Sequence, residues 1–338
     1  MSTVVFTKRH RRYVVAALIP LFVIGLVGVA VLVENARTAA GREARPMPGE
    51  LVDVGGHRLH LVVQGTGGPT VVLEAGSGEV ASGWQQVAGG LSTTTTVVSY
   101  DRAGTAWSEA ADEPRTASAV VSDLRTALRE IDAPRPYVLV GHSLGGLYIR
   151  EYARLHPDEV AGLVLVDARP EDDAARTAAL LPDGAGTSSW PTWIPTTLKA
   201  TGALRVGGGA LLDGLVPAEY REEFLDVTAS PTYFATQRDE ADRIGATEAA
   251  LRGQDLGDLP VRVIARGLPQ DYAAAGIDTA TGRELERLWQ DGQRRMLSLS
   301  SDSTLVVAEH SGHLIPREQP DLVVAEVASL LDDLRGPG

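Results

Sequence analysis

The 338-residue chain contains no cysteine. That absence excludes disulfides, thiolate metal sites, a cysteine nucleophile and a lipidated cysteine, and it is compatible with either redox compartment. HExxH and carboxylate-rich loops are missing too, and the seven histidines are scattered, so no metal site is expected. The stretch GTGG at 65–68 is neither GxGxxG nor a phosphate loop and reads as a hairpin turn, so no cofactor is expected. Internal repeats are absent. Basic residues are in deficit, with 31 Lys and Arg against 44 Asp and Glu, a net charge of −13. The first 33 residues hold Lys8, Arg9, Arg11 and Arg12 and no acid, so the acidity is concentrated in the remainder. A body this acidic repels phosphate, which argues against nucleic acid as a partner.

What is present begins with YVVAALIPLFVIGLVGVAVLV, residues 13–33, an uncharged run. At ~1.5 Å of rise per residue a helix of this length spans a hydrocarbon core of ~30 Å. It is read as a transmembrane helix, preceded by a basic segment at 1–12. The alternative is a cleaved signal peptide and a secreted protein, since a basic segment, an apolar run and the small residues Ala36, Ala39 and Ala40 are all there. The excess of bases before the span places the N-terminus in the cytoplasm and the body outside, in a single-pass arrangement at the cytoplasmic membrane. Gly25 and Gly28 do not form a GxxxG pair, so the span carries no dimerisation signal. Residues 34–50, small, charged and proline-containing without an apolar period, read as a linker.

From 51 to 335 short β-branched runs alternate with helical stretches. TVVLEAG, TTTVVSYDRAG, YVLVGHS, GLVLVDA, VRVIARG and STLVVAEH read as strands, and TASAVVSDLRTALREI repeats apolar residues at helical spacing. Nearly continuous apolar strands separated by helices indicate a doubly wound α/β domain with a mostly parallel sheet covered on both faces. Residues 169–255 break the rhythm and are too long for an ordinary loop, so an inserted helical cap is expected there.

The sharpest local signal is GHSLGG, 141–146, directly between a strand and a helix. Such a turn forces Ser143 into a strained conformation that exposes its hydroxyl, and Gly141 and Gly145 remove side chains that would clash. The N–H of Leu144 points into the same site from the helix N-terminus, where the dipole favours an oxyanion. A serine hydroxyl needs a base to take its proton. His10, His57, His60 and His156 lie elsewhere, and His142 points away from its neighbour Ser143 on an extended strand. His310 and His313 remain, of which His313, after Gly312, has the freedom to swing over the sheet edge. For the acid that orients the base, Asp167 ends the strand GLVLVDA and Asp271 follows the strand VRVIARG. A strand end fixes a side chain better than a loop, which favours Asp167, and Asp271 stays the alternative.

The set LEAGSG, SYDRAG, GHSLGG, GLVLVDA and SGHLIPREQP, in this order, resembles the α/β-hydrolase superfamily in its lipase-, esterase- and aminopeptidase-like branch, over about residues 51–335. The resemblance implies Ser143 as nucleophile, His313 as general base, and the N–H groups of Ser77 and Leu144 as an oxyanion hole. Ala75-Gly76 stands where many relatives have His-Gly, and Ala106 where DRxGxGxS has its second glycine; Asp101 and Arg102 are read as structural. The expected function is a membrane-anchored serine hydrolase acting without a cofactor on a small or lipid-like ester with an apolar acyl or aryl group. The alternatives are an aminopeptidase of the same fold, whose substrate amine Glu219, Glu222, Glu223 and Asp226 would hold, and a non-catalytic binding protein. A haloalkane dehalogenase is disfavoured, since its nucleophile position takes aspartate. Protein partners cannot be read from the chain.

Overall fold

A computed structural model describes residues 8–181, 191–212, 216–274 and 276–336, with side chains from Leu18 onward. The chain divides into two compact units, residues 1–46 with 190–231, and residues 47–189 with 232–338.

The larger unit holds an eight-stranded sheet in the order β1-β2-β4-β3-β5-β6-β7-β8. Its strands are β1 (Glu50–Asp53), β2 (Arg58–Gln64), β3 (Thr70–Glu74), β4 (Val97–Tyr100), β5 (Tyr137–His142), β6 (Val160–Val166), β7 (Val261–Arg266) and β8 (Ser303–Ala308). The pairs β1–β2 and β2–β4 are antiparallel and all others parallel, so the opening hairpin forms one edge of an otherwise parallel sheet. Alternation along each strand feeds two cores. Tyr137, Leu139, Leu163 and Leu165 pack on one side with Val121, Leu124, Leu128, Ile149 and Tyr152. Val138, Val140, Val164 and Val166 pack on the other with Val87, Leu91, Val323, Val327 and Leu330. Burial on both faces is why these strands read as continuous apolar runs.

The helices of this unit supply the opposing stripes. α2 (Gln85–Leu91), α3 (Ala117–Glu130) and α4 (Leu144–Leu155) alternate with the central strands. Thr116 caps α3 by accepting from the Ala119 N–H at 3.1 Å. α5 (Asp173–Thr177) follows β6, and the unit resumes after the smaller one with α10 (Pro231–Leu251), α11 (Thr279–Arg295), α12 (Ile315–Glu318) and α13 (Pro320–Arg335).

The smaller unit contains α1 (Lys8–Ala44), α6 (Trp193–Ala200), α7 (Ala203–Val206), α8 (Gly208–Leu211) and α9 (Arg221–Glu223). Among the described residues α1 is the one helix long and apolar enough to cross a membrane, with a mean hydropathy of 2.2 over its most apolar window. Nearly all its side chains from Leu18 to Val33 are exposed.

Two boundaries differ from the sequence reading. The linker expected over 34–50 is helical as far as Ala44. Glu34 is only 3% exposed, with Lys199 Nζ at 2.5 Å and Arg205 Nε at 3.1 Å, while Asp226 accepts from Arg45 and from Arg205, each at 2.7 Å. Arg42 donates to the carbonyls of Asp226 and Val227. Ion pairs with residues more than 160 positions away therefore stand in for the missing apolar stripe. The cap expected at 169–255 is likewise divided. Its residues 190–231 cluster with the N-terminal residues, and its flanks, 169–189 and 232–255, belong to the sheet unit. Trp190, counted into the cap from its sequence, lies outside the described residues.

Candidate active site

The C-terminal end of β5 turns directly into α4, and Ser143 sits at the turn with φ 51° and ψ −119°. Positive φ on a residue with a Cβ is strained and persists only when the surroundings enforce it. Glycines do so here. A Cβ on Gly141 would lie 2.6 Å from the Gly145 carbonyl oxygen, one on Gly145 2.5 Å from that of Glu74, and one on Gly146 would collide with Ala168. The turn is thus pressed against the ends of β3 and β6. The Ser143 N–H donates to the Val166 carbonyl at 3.2 Å, and its own carbonyl accepts from Gly146 and Arg169.

His313 lies in the loop between β8 and α12, and its Nε2 is 3.0 Å from Ser143 Oγ. Its Nδ1 is 2.6 Å from Asp167 Oδ2. Because a carboxylate accepts, Nδ1 carries the proton and Nε2 is left as an acceptor for the serine hydroxyl. The His313 side chain is 28% exposed and that of Asp167 fully buried, so the imidazole faces a solvent-reachable space while the carboxylate does not.

Asp167, one residue past β6, is held from several directions. Its Oδ1 accepts from Trp289 Nε1 at 2.8 Å and from the Arg266 N–H at 3.3 Å, and its Oδ2 also accepts from Arg266 Nη1 at 3.1 Å. Burial pushes its carboxyl up, but the His313 hydrogen bond, the Arg266 charge and the Trp289 donor outweigh it, and the group stays below its ordinary range. Arg266 is itself buried and pairs with Glu286 at 2.6 Å. The Trp289 ring meets the His313 ring edge-on, centroids 5.6 Å apart.

The other candidate acid is elsewhere. Asp271 Oδ1 accepts from the N–H groups of Ala273 and Ala274 at 3.1 and 3.2 Å in an exposed turn, the side-chain-to-backbone bonding that makes aspartate a turn residue.

Of the two backbone groups expected to meet an oxyanion, one directly follows the serine and the other lies in the loop after β3. Leu144 is the first residue of α4, where a helix leaves its N–H groups without intrahelical partners. Ser77 is exposed in the loop after β3, its hydroxyl donating to Gln237 Oε1 at 3.2 Å. The neighbouring backbone is tied down. Buried Arg102 donates to the carbonyls of Ala75 at 2.7 Å and Gly76 at 2.9 Å, and the Gly76 N–H donates to Glu79 Oε2 at 2.9 Å. Arg102 is in turn paired with Glu74 and Glu240. Ala106, at the family's glycine position, has φ 41°, a region glycine enters without penalty.

Sequence reasoning missed several residues at this site. Arg266 of β7 and Trp289 of α11 converge on Asp167, Glu286 of α11 holds Arg266, and His142 joins Glu79 to the loop bearing His313. The strand alternation that turns His142 away from Ser143 was legible; its partner Glu79, 63 residues earlier, carries no local signal. Of the acids considered for a substrate amine, Asp226 and Glu222 are engaged by arginines of the smaller unit. Among the described residues no cluster of three or more His, Asp or Glu could hold a metal ion.

A profile described as the alpha/beta hydrolase family matches residues 71–326. The chain is 28% identical over 300 residues to a probable transporter, efuK of Hormonema carpetanum, but spans only 42% of its length. It is 25% identical over 271 residues to the (lyso)-N-acylphosphatidylethanolamine lipase of Bos taurus, covering 72% of this chain and 73% of that one. Similar solved structures include an esterase from Thermogutta terrifontis, with TM-score 0.57, 21% identity and coverage of 85% of this chain and 99% of that one. Another is the epoxide hydrolase CorEH, with TM-score 0.60, 19% identity and coverage of 84% and 98%.

Proposed function

Since the chain belongs to the alpha/beta hydrolase family, as the match over residues 71–326 shows, we propose that it is a serine hydrolase of carboxylic esters, anchored in a membrane by α1. The observation that carries this reading is the chain of contacts from Ser143 Oγ through His313 to Asp167, at 3.0 and 2.6 Å. Ser143 Oγ attacks the ester carbonyl as His313 Nε2 takes its proton, and Asp167 stabilises the imidazolium that results. The N–H groups of Ser77 and Leu144 receive the negative charge that develops on the carbonyl oxygen. Collapse of the tetrahedral intermediate returns the proton from His313 to the departing alcohol and leaves an acyl group on Ser143. Water, deprotonated by the same imidazole, then releases the acid.

A serine nucleophile favours esters over epoxides. Its attack on an epoxide would leave an ether, which an imidazole-activated water does not cleave, whereas an acyl-enzyme is readily hydrolysed. Esters are favoured over amides because the alkoxide is the better leaving group. The engagement of Asp226 and Glu222 by arginines also removes two of the acids an aminopeptidase would use for a substrate amine. The charge bias of residues 1–33 favours a cytoplasmic N-terminus with the hydrolase body outside.

The test is covalent labelling with a fluorophosphonate probe together with hydrolysis of aryl esters graded by acyl length. Parent protein should label, Ser143→Ala and His313→Ala should not, and both should lose at least about 10⁴-fold in kcat/KM. A folded parent that neither labels nor hydrolyses any ester would overturn the reading.

A further inference from the structure

His142 follows Gly141 and precedes Ser143, yet its ring lies on the opposite side of the strand, 1% exposed, between two loops that meet the site. Its Nε2 is 2.7 Å from the backbone carbonyl of His313. A carbonyl only accepts, so Nε2 carries a proton. Its Nδ1 is 2.6 Å from Glu79 Oε2, the oxygen that also accepts the Gly76 N–H. One imidazole thus spans the loop of the base and the loop of the oxyanion hole. The His142 ring also stacks obliquely on the His313 ring, with centroids 4.7 Å apart.

We propose that His142 is a positioning residue: with Glu79 it forms an ion pair that joins the His313 loop to the Gly76–Ser77 loop and so fixes the His313 imidazole against Ser143.

Burial opposes charge on both partners, yet their mutual attraction prevails. The Glu79 carboxyl is pushed down to about 2, helped by the Gly76 N–H, and His142 is pushed up. Both directions place the proton on the ring, which is then an imidazolium with both N–H groups donating. The same loop is anchored again from α12, where Glu318 accepts from the Ser311 hydroxyl and the Gly312 N–H, so the His142 bridge to the His313 carbonyl fixes the end of the loop that carries the imidazole.

The proposal rests on the serine-hydrolase reading, and its test separates the two. The full chain and its His142→Gln and Glu79→Gln variants are followed by fluorophosphonate labelling rate and by kcat/KM for an aryl ester between about pH 4.5 and 9. With His142→Gln, which keeps one amide donor but cannot bridge both loops, kcat/KM and the labelling rate should fall by about 10- to 100-fold, with the loss in kcat rather than KM. Glu79→Gln should depress the rate at all pH values, because the two loops lose their shared carboxylate. Parent-like kcat and labelling in His142→Gln would overturn the positioning role. The ring nitrogens give a readout that survives a misfolded variant or an inactive parent. In the ¹⁵N-histidine spectrum of the unsubstituted protein His142 should remain doubly protonated at pH values above the ordinary imidazole value of about 6.5. A neutral His142 there would overturn the proposal, whereas a parent that fails to label would overturn only the hydrolase reading.

Discussion

At the scale of single residues, the two aspartates make opposite forecasts. Asp167→Asn should lower kcat/KM by about 10³- to 10⁴-fold, because an amide can present its N–H to Nδ1 and favour the wrong tautomer. Asp271→Asn, in an exposed turn, should change it less than about twofold. Kinetics of both variants on one aryl ester checks this, and comparable losses would remove Asp167 from its role. Sequence named both residues and favoured Asp167 only for its place at a strand end, because each follows a strand whose end approaches the same sheet edge. Ser143 and His313 were legible for a local reason: glycines around the serine and before the histidine mark backbone that must turn sharply. Glu79, Arg266 and Trp289 were not, because their roles arise from contacts across 63, 99 and 122 positions and no spacing encodes those.

Linkage adds a pH forecast for the same residues. Glu79 is depressed in the folded protein to about 2, so its stabilisation is fully present above its unfolded value near 4.5 and is lost as pH falls through 4.5 toward 2. His142 is raised, so its stabilisation is fully present below about 6.5 and is lost as pH rises through its folded value. Between pH 4.5 and 6.5 both are at full strength. The fall in Tm of the parent from pH 5 to 3 should therefore exceed that of Glu79→Gln, as measured by differential scanning fluorimetry. Equal falls in the two proteins would mean that Glu79 is not held ionised.

At the scale of elements, the GTGG stretch read as a hairpin turn instead joins β2 to β3, which are not neighbours in the sheet, whereas the parallel strands and their helices were legible because burial on both faces leaves an unbroken apolar signature. The extent of α1 was not. Residues 34–44 combine good helix formers with charges and have no apolar period, so propensity permits a helix without requiring one. What selects it is the set of ion pairs that Glu34 and Asp226 make within the smaller unit. Removing one member of a buried pair strands its partners, at a cost of about 3–5 kcal/mol. Glu34→Ala leaves Lys199 and Arg205 in that position and should loosen residues 34–44, opening the bonds after Arg37 and Arg42 to trypsin. Limited proteolysis of parent and variant side by side checks this, and identical cleavage rates would show that the helix holds without the pairs.

At the scale of the whole molecule, the question is whether the apolar run stays with the body or is cut from it. Its length and composition suit an anchor and a signal sequence alike, and the small residues at 36–40 give cleavage a place to occur. Within the smaller unit, however, those residues lie in the interior of α1, and removal of everything before Ala36 would take Glu34 away from Lys199 and Arg205. Two cations packed around an absent carboxylate would be left, a loss of the same order as a broken buried pair. Retention is therefore the expected outcome. The lack of cysteine makes the experiment direct, since a single introduced thiol is the only one to label. With an environment-sensitive dye at Ile24→Cys, fluorescence in proteoliposomes should be quenched by lipids doxyl-labelled near the bilayer centre. The same dye at Leu155→Cys, on the surface of the sheet unit, should be untouched. Recovery of a folded, unlabelled body lacking residues 18–33 from cells expressing Ile24→Cys would decide for cleavage, and would require Lys199 and Arg205 to find new partners.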